Sequence, residues 1–362
     1  MPRAKSSNTL ITALDAEPLN IPLYEPFAIS TGAVTSARNA LIRVTLADGT
    51  VGLGEAAPFP PSGGETQETA LAAIHGMEPL VVGADAAAWR PLAARLTAGF
   101  EHQATARAGV EMAVLDALTR SVGVSLAQFL GGAESAVETD ITIPIEEPDH
   151  MASLAREYAE RGARTLKLKV GTTPRDDLRR VLAIERAVPD CELILDGNQG
   201  FSAPGALELV HLLDDAGVRP ILFEQPVHRH DIEGLRFVTD HAGLPVAADE
   251  AVHTASDALR VARMGAANVV NIKLMKSGIV EALDIAAVCR AAHIGLMVGA
   301  MIESRLAIAV ASHLIAGLGG FRYVDLDTPM LLADDPFEGG YTQSGMVYTL
   351  DFSRPGHGVS LR

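Results

Sequence analysis

The feature that most constrains the fold of this chain is a repeat of short apolar segments. After Glu138, eight β-type segments alternate with helical stretches, and their starts recur about every 24 to 29 residues, the period of one strand–helix unit. Eight such units close into a parallel barrel whose outer face is covered by the helices. An open, doubly wound sheet is the competing interpretation, which is disfavoured because no G-x-G-x-x-G motif follows a strand. The predicted strands are 141–145, 165–170, 192–195, 221–223, 245–248, 269–272, 295–298 and 323–324.

The flanking segments predict a second domain. Residues 10–55 have β-type composition with a turn at Ala47-Asp48-Gly49, and residues 57–64 form a Pro- and Gly-rich loop. Apolar spacing over residues 66–130 is typical of helices and stops at Leu130-Gly131-Gly132. We therefore expect an α+β capping domain at 1–130, the barrel at 131–330, and a C-terminal segment at 331–362. Within that segment, residues 346–352 are expected to form a strand that returns to the N-terminal β region.

Composition excludes several classes of function. The chain has 362 residues and a net charge of −16, whereas nucleic acids and anionic membranes are bound by clustered Lys and Arg. Cys191 and Cys289 have no metal-ligand spacing and indicate a reducing compartment. Neither a secretory signal nor an 18-residue apolar run is found. We expect a cytoplasmic protein that acts on a small molecule.

Charged residues follow six of the eight predicted strands. In a β/α barrel, the active site is built at the C-terminal ends of the strands, so these residues are expected to converge. They are Lys167-Leu168-Lys169, Asp196 with Asn198, Glu224-Gln225, Asp249-Glu250, Lys273, and Asp325-Leu326-Asp327.

Three carboxylates on consecutive strands predict a metal site. Asp196, Glu224 and Asp249 would repel one another unless a cation compensates them, and oxygen ligands select a hard divalent ion such as Mg²⁺. Asn198 and Glu250 are expected to orient these ligands or to hydrogen-bond a base.

The lysines predict proton transfer. Lys167 and Lys169 are two residues apart on one strand and face the same mouth. Beside a bound cation, we expect each ammonium to lower the pKa of the other, which makes one of them a plausible base near neutral pH. Lys273 lies across the ring, so that bases on both sides of a substrate could epimerise or racemise it. A proton alpha to a carboxylate is weakly acidic, and a bound metal ion stabilises the enediolate formed when that proton leaves.

Together these motifs resemble the muconate-lactonizing subgroup of the enolase superfamily. The resemblance spans essentially the whole chain and implies a modified TIM barrel, (β/α)7β, with an α+β capping domain formed by the N-terminal region and the C-terminal segment. It implies Asp196, Glu224 and Asp249 as ligands of Mg²⁺. It also implies that Lys169 and Lys273 are the acid/base pair and that Lys167 contacts the substrate carboxylate. Members are commonly homo-oligomers, which is the expectation here.

The motif Asp325-Leu326-Asp327 indicates which of the subgroup's activities this chain has. It resembles the Asp-x-Asp of dipeptide epimerases, which holds the substrate ammonium, and Thr142 and Met301 match positions that line the dipeptide site. An acidic pair without a cationic partner would be costly beside a substrate that has no ammonium group. The alternative is that one of these carboxylates forms a salt bridge with Arg322 or Arg305.

Two capping loops, residues 24–34 and 58–66, are expected to select the dipeptide. Alanyl-glutamate epimerases carry an arginine in the first loop, where this chain has Gly32 beside Ser30 and Thr31. The sequence therefore predicts a neutral or apolar dipeptide as substrate.

The alternatives within the subgroup are an N-succinylamino acid racemase, an o-succinylbenzoate synthase and a muconate cycloisomerase. A mandelate-type enzyme is disfavoured, because its histidine base follows strand seven whereas His293 precedes it. A non-catalytic barrel scaffold is the remote alternative.

Overall fold

The structure is a computed structural model that describes residues 8–29, 32–61, 64–132 and 134–362. Ser30 and Thr31 of the first predicted specificity loop lie outside the described residues, as do Ser62 and Gly63 of the second. In the described part of the chain, no helix has both the length and the apolar character needed to cross a membrane.

The N-terminal region pairs an antiparallel sheet with a layer of helices, as predicted. The sheet has the order β1 (Ile11–Ile29), β2 (Gly32–Leu46) and β3 (Val51–Ala56). The helices are α1 (Gln67–Val81), α2 (Trp89–Gly99), α3 (Ala104–Ser121) and α4 (Leu126–Phe129), with a 3₁₀ turn at Ala86–Ala88. Helix α1 begins where Thr66 and Thr69 cap each other reciprocally, which satisfies backbone donors that the first turn leaves free.

Helix α3 lies directly against strand β3 because glycines remove the side chains between them. A Cβ atom at Gly54 would lie 2.0 Å from the carbonyl oxygen of Gly109, and one at Gly52 would lie 2.2 Å from that of Ala113. Neither approach is sterically possible for a larger residue, so the backbones of the sheet and the helix are in direct contact.

Eight parallel strands form the predicted barrel, in the order of the sequence. They are β5 (Ile141–Ile143), β6 (Thr165–Lys169), β7 (Glu192–Asp196), β8 (Leu222–Glu224), β9 (Val246–Ala248), β10 (Val269–Lys273), β11 (Gly295–Gly299) and β12 (Phe321–Asp325). The helices between them are α5 (Pro148–Glu160), α6 (Pro174–Ala187), α7 (Ala203–Asp215), α8 (Ile232–His241), α9 (Ala255–Met264), α10 (Leu274–Ser277), α11 (Ile279–Ala291) and α12 (Arg305–Leu318). Strand β12 is followed by a 3₁₀ turn, Thr328–Leu331, which gives the (β/α)7β pattern.

The first and last barrel strands come together to close the ring. The backbone N–H of Asp140 donates to the carbonyl of Val324 at 2.8 Å. Inside the ring, an apolar layer supports the mouth above it, and it consists of Ile194, Leu222, Ala247, Val269, Met297 and Tyr323. The barrel is therefore a packed core rather than a pore.

The C-terminal segment contains the predicted strand, but the partner of this strand differs from the expectation. Its strands are β13 (Phe337–Gly339), β14 (Tyr341–Ser344), β15 (Val347–Leu350) and β16 (Val359–Leu361). Strand β15 pairs with β4 (Ala136–Glu138), just before the barrel, and not with the β1–β3 sheet. The segment reaches the N-terminal region through a loop instead, where His357 donates its backbone N–H to Asp116 at 3.0 Å. Long-range pairing of this kind cannot be deduced from local alternation.

Candidate active site

The charged strand ends meet in one pocket between the barrel mouth and the capping loops. The pocket is lined by Phe27, Phe59, Thr142, Lys169, Asn198, Asp249, Glu250, Lys273, Ala300, Met301, Ile302, Asp325, Asp327 and Thr328. The predicted convergence of residues from opposite sides of the barrel is therefore present in the structure.

Lys167 lies at the centre of the acidic residues. Its Nζ is 2.9 Å from Asp196 Oδ2, 2.8 Å from Glu224 Oε2 and 2.6 Å from Asp325 Oδ2, and its side chain is fully buried. Burial alone would lower the pKa of Lys167, but these carboxylates outweigh it and raise the pKa well above its ordinary value. The lowering predicted beside a bound cation stays a prediction, because the carboxylates contact Lys167 directly here.

The proposed acid/base lysines face each other across the mouth. Lys169 ends β6 and donates to Asp196 at 2.7 Å, whereas Lys273 ends β10 and contacts Asp249 at 2.9 Å. Strands β6 and β10 are four positions apart in an eight-stranded ring, so the two lysines approach the pocket from opposite sides. Burial opposes the charge on Lys273, but Asp249 raises its pKa above the ordinary value.

Two polar residues that the sequence analysis missed support this arrangement. Lys276 donates to Asp249 Oδ1 at 2.5 Å, and Asn271 donates from Nδ2 to Glu224 Oε1 at 2.7 Å. A signal for Asn271 was present, since it precedes Lys273 by two residues on one strand and therefore faces the same interior. Lys276 lies in the short helix α10, which local sequence patterns did not distinguish from the rest of the β10–α11 connection.

The three predicted metal ligands follow one another on consecutive strands, and lysines contact each of them. Asp196 lies opposite Glu224 in the register of β7 and β8, and Asp249 directly follows β9. Lys167 joins Asp196 and Glu224, while Lys273 and Lys276 contact Asp249. Among the described residues, no three Asp, Glu, His or Cys side chains meet in a metal-holding group.

The mouth nevertheless contains more buried carboxyl groups than lysine ammonium groups that could neutralise them. Among the residues that the structure describes, eight buried carboxyl groups lie in or just beneath it, against four buried ammonium groups. The carboxyl groups are those of Asp140, Asp196, Glu224, Asp249, Glu250, Glu303, Asp325 and Asp327, and the ammonium groups are those of Lys167, Lys169, Lys273 and Lys276.

This surplus is visible in the pKa values of the acids. Burial, together with the charge of Asp196, raises the pKa of Glu224 to about 8, and burial raises that of Glu250 to about 7. A dense acidic site with oxygen donors on consecutive strands is the chemistry that a hard divalent cation requires. The donor set therefore fits such an ion.

Asp325 and Asp327 form an acidic pair at the end of β12. Thr142 donates its backbone N–H to Asp327 Oδ2 at 2.6 Å, and its hydroxyl lies 3.5 Å from Asp325 Oδ1. Burial and the charge of Asp325 raise the pKa of Asp327 to about 6. Arg305 contacts Asp335 at 2.8 Å, so it does not neutralise the pair as the alternative interpretation required.

The remaining predicted residues surround this centre. The backbone N–H of Asn198 donates to Asp196 Oδ1 at 3.0 Å, and its side chain donates to Glu250 Oε1 at 3.4 Å. Met301 lines the pocket and donates its backbone N–H to Glu303 at 2.8 Å.

The side of the pocket beneath the capping domain is apolar. Phe27 of β1 and Phe59 of the loop after β3 face Met301 and Ile302 across it. Sequence reasoning located these two loops but not their aromatic side chains, because nothing local distinguishes a phenylalanine of the pocket from one of the core. Lys169 and Lys273 are the cations among the described lining residues.

A (β/α)7β barrel with opposed lysines and an acidic mouth under an α+β cap defines a class of acid/base enzymes that act on carbon acids. Residues 12–131 match the mandelate racemase/muconate lactonizing enzyme N-terminal domain, and residues 150–362 match the enolase C-terminal domain-like family. The chain belongs to the mandelate racemase/muconate lactonizing enzyme family of the enolase superfamily.

Known relatives resemble this chain along its whole length. An aromatic dipeptide epimerase of Herpetosiphon aurantiacus is 46% identical over 354 residues, covering 98% of this chain and 99% of that protein. An L-Ala-D/L-Glu epimerase of Bacillus subtilis is 35% identical, covering 96% of each chain. The structure of a dipeptide epimerase from Enterococcus faecalis, complexed with Mg and the dipeptide L-Leu-L-Tyr, is 35% identical, covers 97% of this chain and 99% of its own, and superposes with a TM-score of 0.93.

Proposed function

We propose that this protein is a Mg²⁺-dependent dipeptide epimerase, an isomerase that inverts the alpha carbon of the C-terminal residue of a neutral or apolar dipeptide. The observation that carries the proposal is that Lys169, Lys273, Asp325 and Asp327 line one pocket. Opposed bases can exchange an alpha proton between two faces, and an acidic pair can hold an ammonium group. The relatives named as dipeptide epimerases support the same reaction.

Asp196, Glu224 and Asp249 are the residues that would hold the ion. Bound there, Mg²⁺ supplies the positive charge that stabilises a substrate carboxylate as it takes up a second negative charge. The acid surplus of the mouth supports this assignment, as does the dipeptide epimerase structure complexed with Mg.

The chain's own residues perform the proton transfers. Lys169 removes the alpha proton from one face, and Lys273 delivers a proton to the other, or the reverse for the opposite stereoisomer. Lys167 contacts the substrate carboxylate, while Asp325 and Asp327 accept hydrogen bonds from the N-terminal ammonium. Asn198 and Glu250 keep the acidic residues oriented.

Substrate selection rests on the apolar side of the pocket. Phe27, Phe59, Met301 and Ile302 present hydrocarbon surface where the dipeptide side chains would lie, which favours apolar residues over glutamate. Thr142 fixes the acidic pair through its backbone N–H and contributes to the same wall.

A dipeptide library in D₂O tests the proposal. Mass spectrometry and NMR are expected to show deuterium at the C-terminal alpha carbon of apolar dipeptides, with chelator stopping the exchange and added Mg²⁺ restoring it. In Asp327→Ala, the apparent KM for these dipeptides should rise about 10- to 100-fold, because a charge-assisted contact to the ammonium is lost.

Two results would contradict the proposal. A strong preference for Ala-Glu would contradict the apolar specificity. Rapid racemisation of N-succinyl amino acids that is undiminished by Asp327→Ala would favour the N-succinylamino acid racemase. Homo-oligomeric assembly and a cytoplasmic location stay predictions from the sequence.

A further inference from the structure

Asp140 is a buried acid beneath the mouth to which the proposed reaction assigns no role. It directly precedes β5, is 4% exposed, and faces the barrel interior on the same side as Thr142 two residues later. Asp140 also lines a polar cavity of about 290 Å³ at the N-terminal end of the barrel. This residue therefore lies between the N-terminal end of the barrel and the site above.

The carboxyl group of Asp140 lacks hydrogen bonds. In the described part of the chain, it is the buried carboxyl group for which neither oxygen has a hydrogen-bond partner. Burial raises its pKa well above the ordinary value, Asp325 adds to the effect, and Lys167 opposes it. A buried acceptor without a partner costs stability, so its retention calls for a reason.

Lys167 supplies that reason, because the proposed function gives other roles to the three carboxylates that Lys167 contacts. Its ammonium contacts Asp196, Glu224 and Asp325 within 2.9 Å. Under the proposed function, on which this inference rests, the first two hold a divalent cation and the third holds the substrate ammonium. A cation and the Lys167 ammonium cannot both occupy the space between the same two carboxylates. Once displaced, a buried ammonium requires another acceptor nearby.

We propose that, before substrate binds, Asp140 is a positioning residue that receives the Lys167 ammonium when a divalent cation takes Asp196 and Glu224, until the substrate carboxylate becomes the partner of Lys167. In the register of β5 and β6, Thr142 lies beside Lys167, so Asp140 lies one interior layer nearer the N-terminal end of the barrel. An ammonium that moves toward the open Asp140 oxygens therefore leaves the metal ligands without leaving the barrel. Asp140 thereby reduces the competition between Lys167 and the cation.

Calorimetric titration of Mg²⁺ into the protein without substrate tests this role. Asp140→Asn keeps the size of the side chain but removes its charge, and we expect Mg²⁺ affinity to fall about 10- to 100-fold, as for other residues that act on metal ligands from behind. In a Lys167→Met background the competing ammonium is absent, so Asp140→Asn is expected to change the affinity less than twofold.

Tyr323→Phe is the matched control. It alters another residue that lines the cavity beside Asp140 without changing charge, and its Mg²⁺ affinity should equal that of the parent. Circular dichroism without Mg²⁺ verifies the fold of each variant, and Asp140→Ser replaces Asp140→Asn if the amide variant does not fold.

The outcomes separate this inference from the proposed function. Unchanged affinity in Asp140→Asn would overturn the role of Asp140, as would an equal loss in both backgrounds, which would indicate a direct effect of charge on the cation. A parent protein that binds no Mg²⁺ would instead contradict the proposed metal site itself.

Discussion

Buried carboxylates occupy two regions of this molecule, and their surroundings differ. Where the capping domain meets the barrel and the C-terminal segment, the acceptors are filled largely by backbone donors. Glu55 accepts from the backbone N–H groups of Ser304 and Ala307, and Glu111 accepts from those of Ile279 and Val280 at 2.7 and 2.9 Å. In the mouth, four acids contact lysine ammonium groups instead, namely Asp196, Glu224, Asp249 and Asp325. Asp140, Glu224 and Glu250 keep oxygens without hydrogen bonds.

A shifted pKa does not separate the two regions. Burial raises the pKa of Glu111 to about 7, close to that of Glu250 in the mouth. The two glutamates differ in their partners. Glu111 accepts from backbone donors at the start of a helix, which cannot move away, whereas Glu250 accepts from the side chain of Asn198, which can rotate. The comparison teaches that a functional carboxylate is recognised by exchangeable partners rather than by its pKa alone.

Removing the lysines should give the largest effect. Lys169→Ala and Lys273→Ala are each expected to reduce epimerisation about 10³-fold or more, because no other base replaces the lost amine. Each variant should still exchange the alpha proton of one stereoisomer in D₂O, measured by NMR. Both should unfold near the temperature of the parent, because Asp196 keeps its contact with Lys167 and Asp249 keeps its contact with Lys276. Normal epimerisation by both variants would break the two-base assignment.

Asp116 should behave in the opposite way. It is fully buried, accepts from the backbone of Leu53 at 2.9 Å and from Arg120 Nε at 2.7 Å, and binds the C-terminal loop through His357. Asp116→Asn is expected to lower the free energy of unfolding by about 3 kcal/mol, because it removes the charge that pairs with Arg120 and places an amide NH₂ where a buried oxygen accepts backbone hydrogen bonds. Urea unfolding measures the loss, while kcat of the folded protein should stay within twofold. A large fall in kcat at unchanged stability would contradict the division between the regions.

Glu111 gives the smallest and most specific test, through pH. Its carboxyl ionises near 4.5 in the unfolded chain and near 7 in the folded protein, because burial disfavours the charge. The protonated form therefore stabilises the fold fully below about pH 4.5, and this contribution declines as pH rises and is lost above about 7, up to about 3 kcal/mol in all. Glu111→Gln cannot ionise, so the difference in unfolding free energy between parent and variant should change between these pH values and be constant above them. If the unfolding free energies of the parent and of Glu111→Gln differed by the same amount at every pH, Glu111 would keep its ordinary pKa in the folded protein.

The barrel and the charged ends of its strands were predictable because both follow from local periodicity. A strand–helix repeat sets the order of the strands, and the alternation of side chains places Lys167 and Lys169 on one face. The same alternation could have identified Asn271 and Asp140, which lie two residues before residues that were singled out. The sequence could not predict which lysine contacts which carboxylate, because these contacts depend on distances across the ring. The pairing of β15 with β4 and the aromatic wall of the pocket also depend on contacts between distant segments.

The glycines between β3 and α3 determine where this protein can vary. No side chain lies between the sheet and the helix at these positions, so their backbones are in direct contact. A methyl group at residue 54 would therefore push α3 away from β3. Phe59, a few residues beyond β3, would shift with it. Sequence changes that adapt the site to new dipeptides are thus expected in the capping loops. Libraries that vary these loops should yield more folded members than libraries that randomise residues 52, 54 or 109.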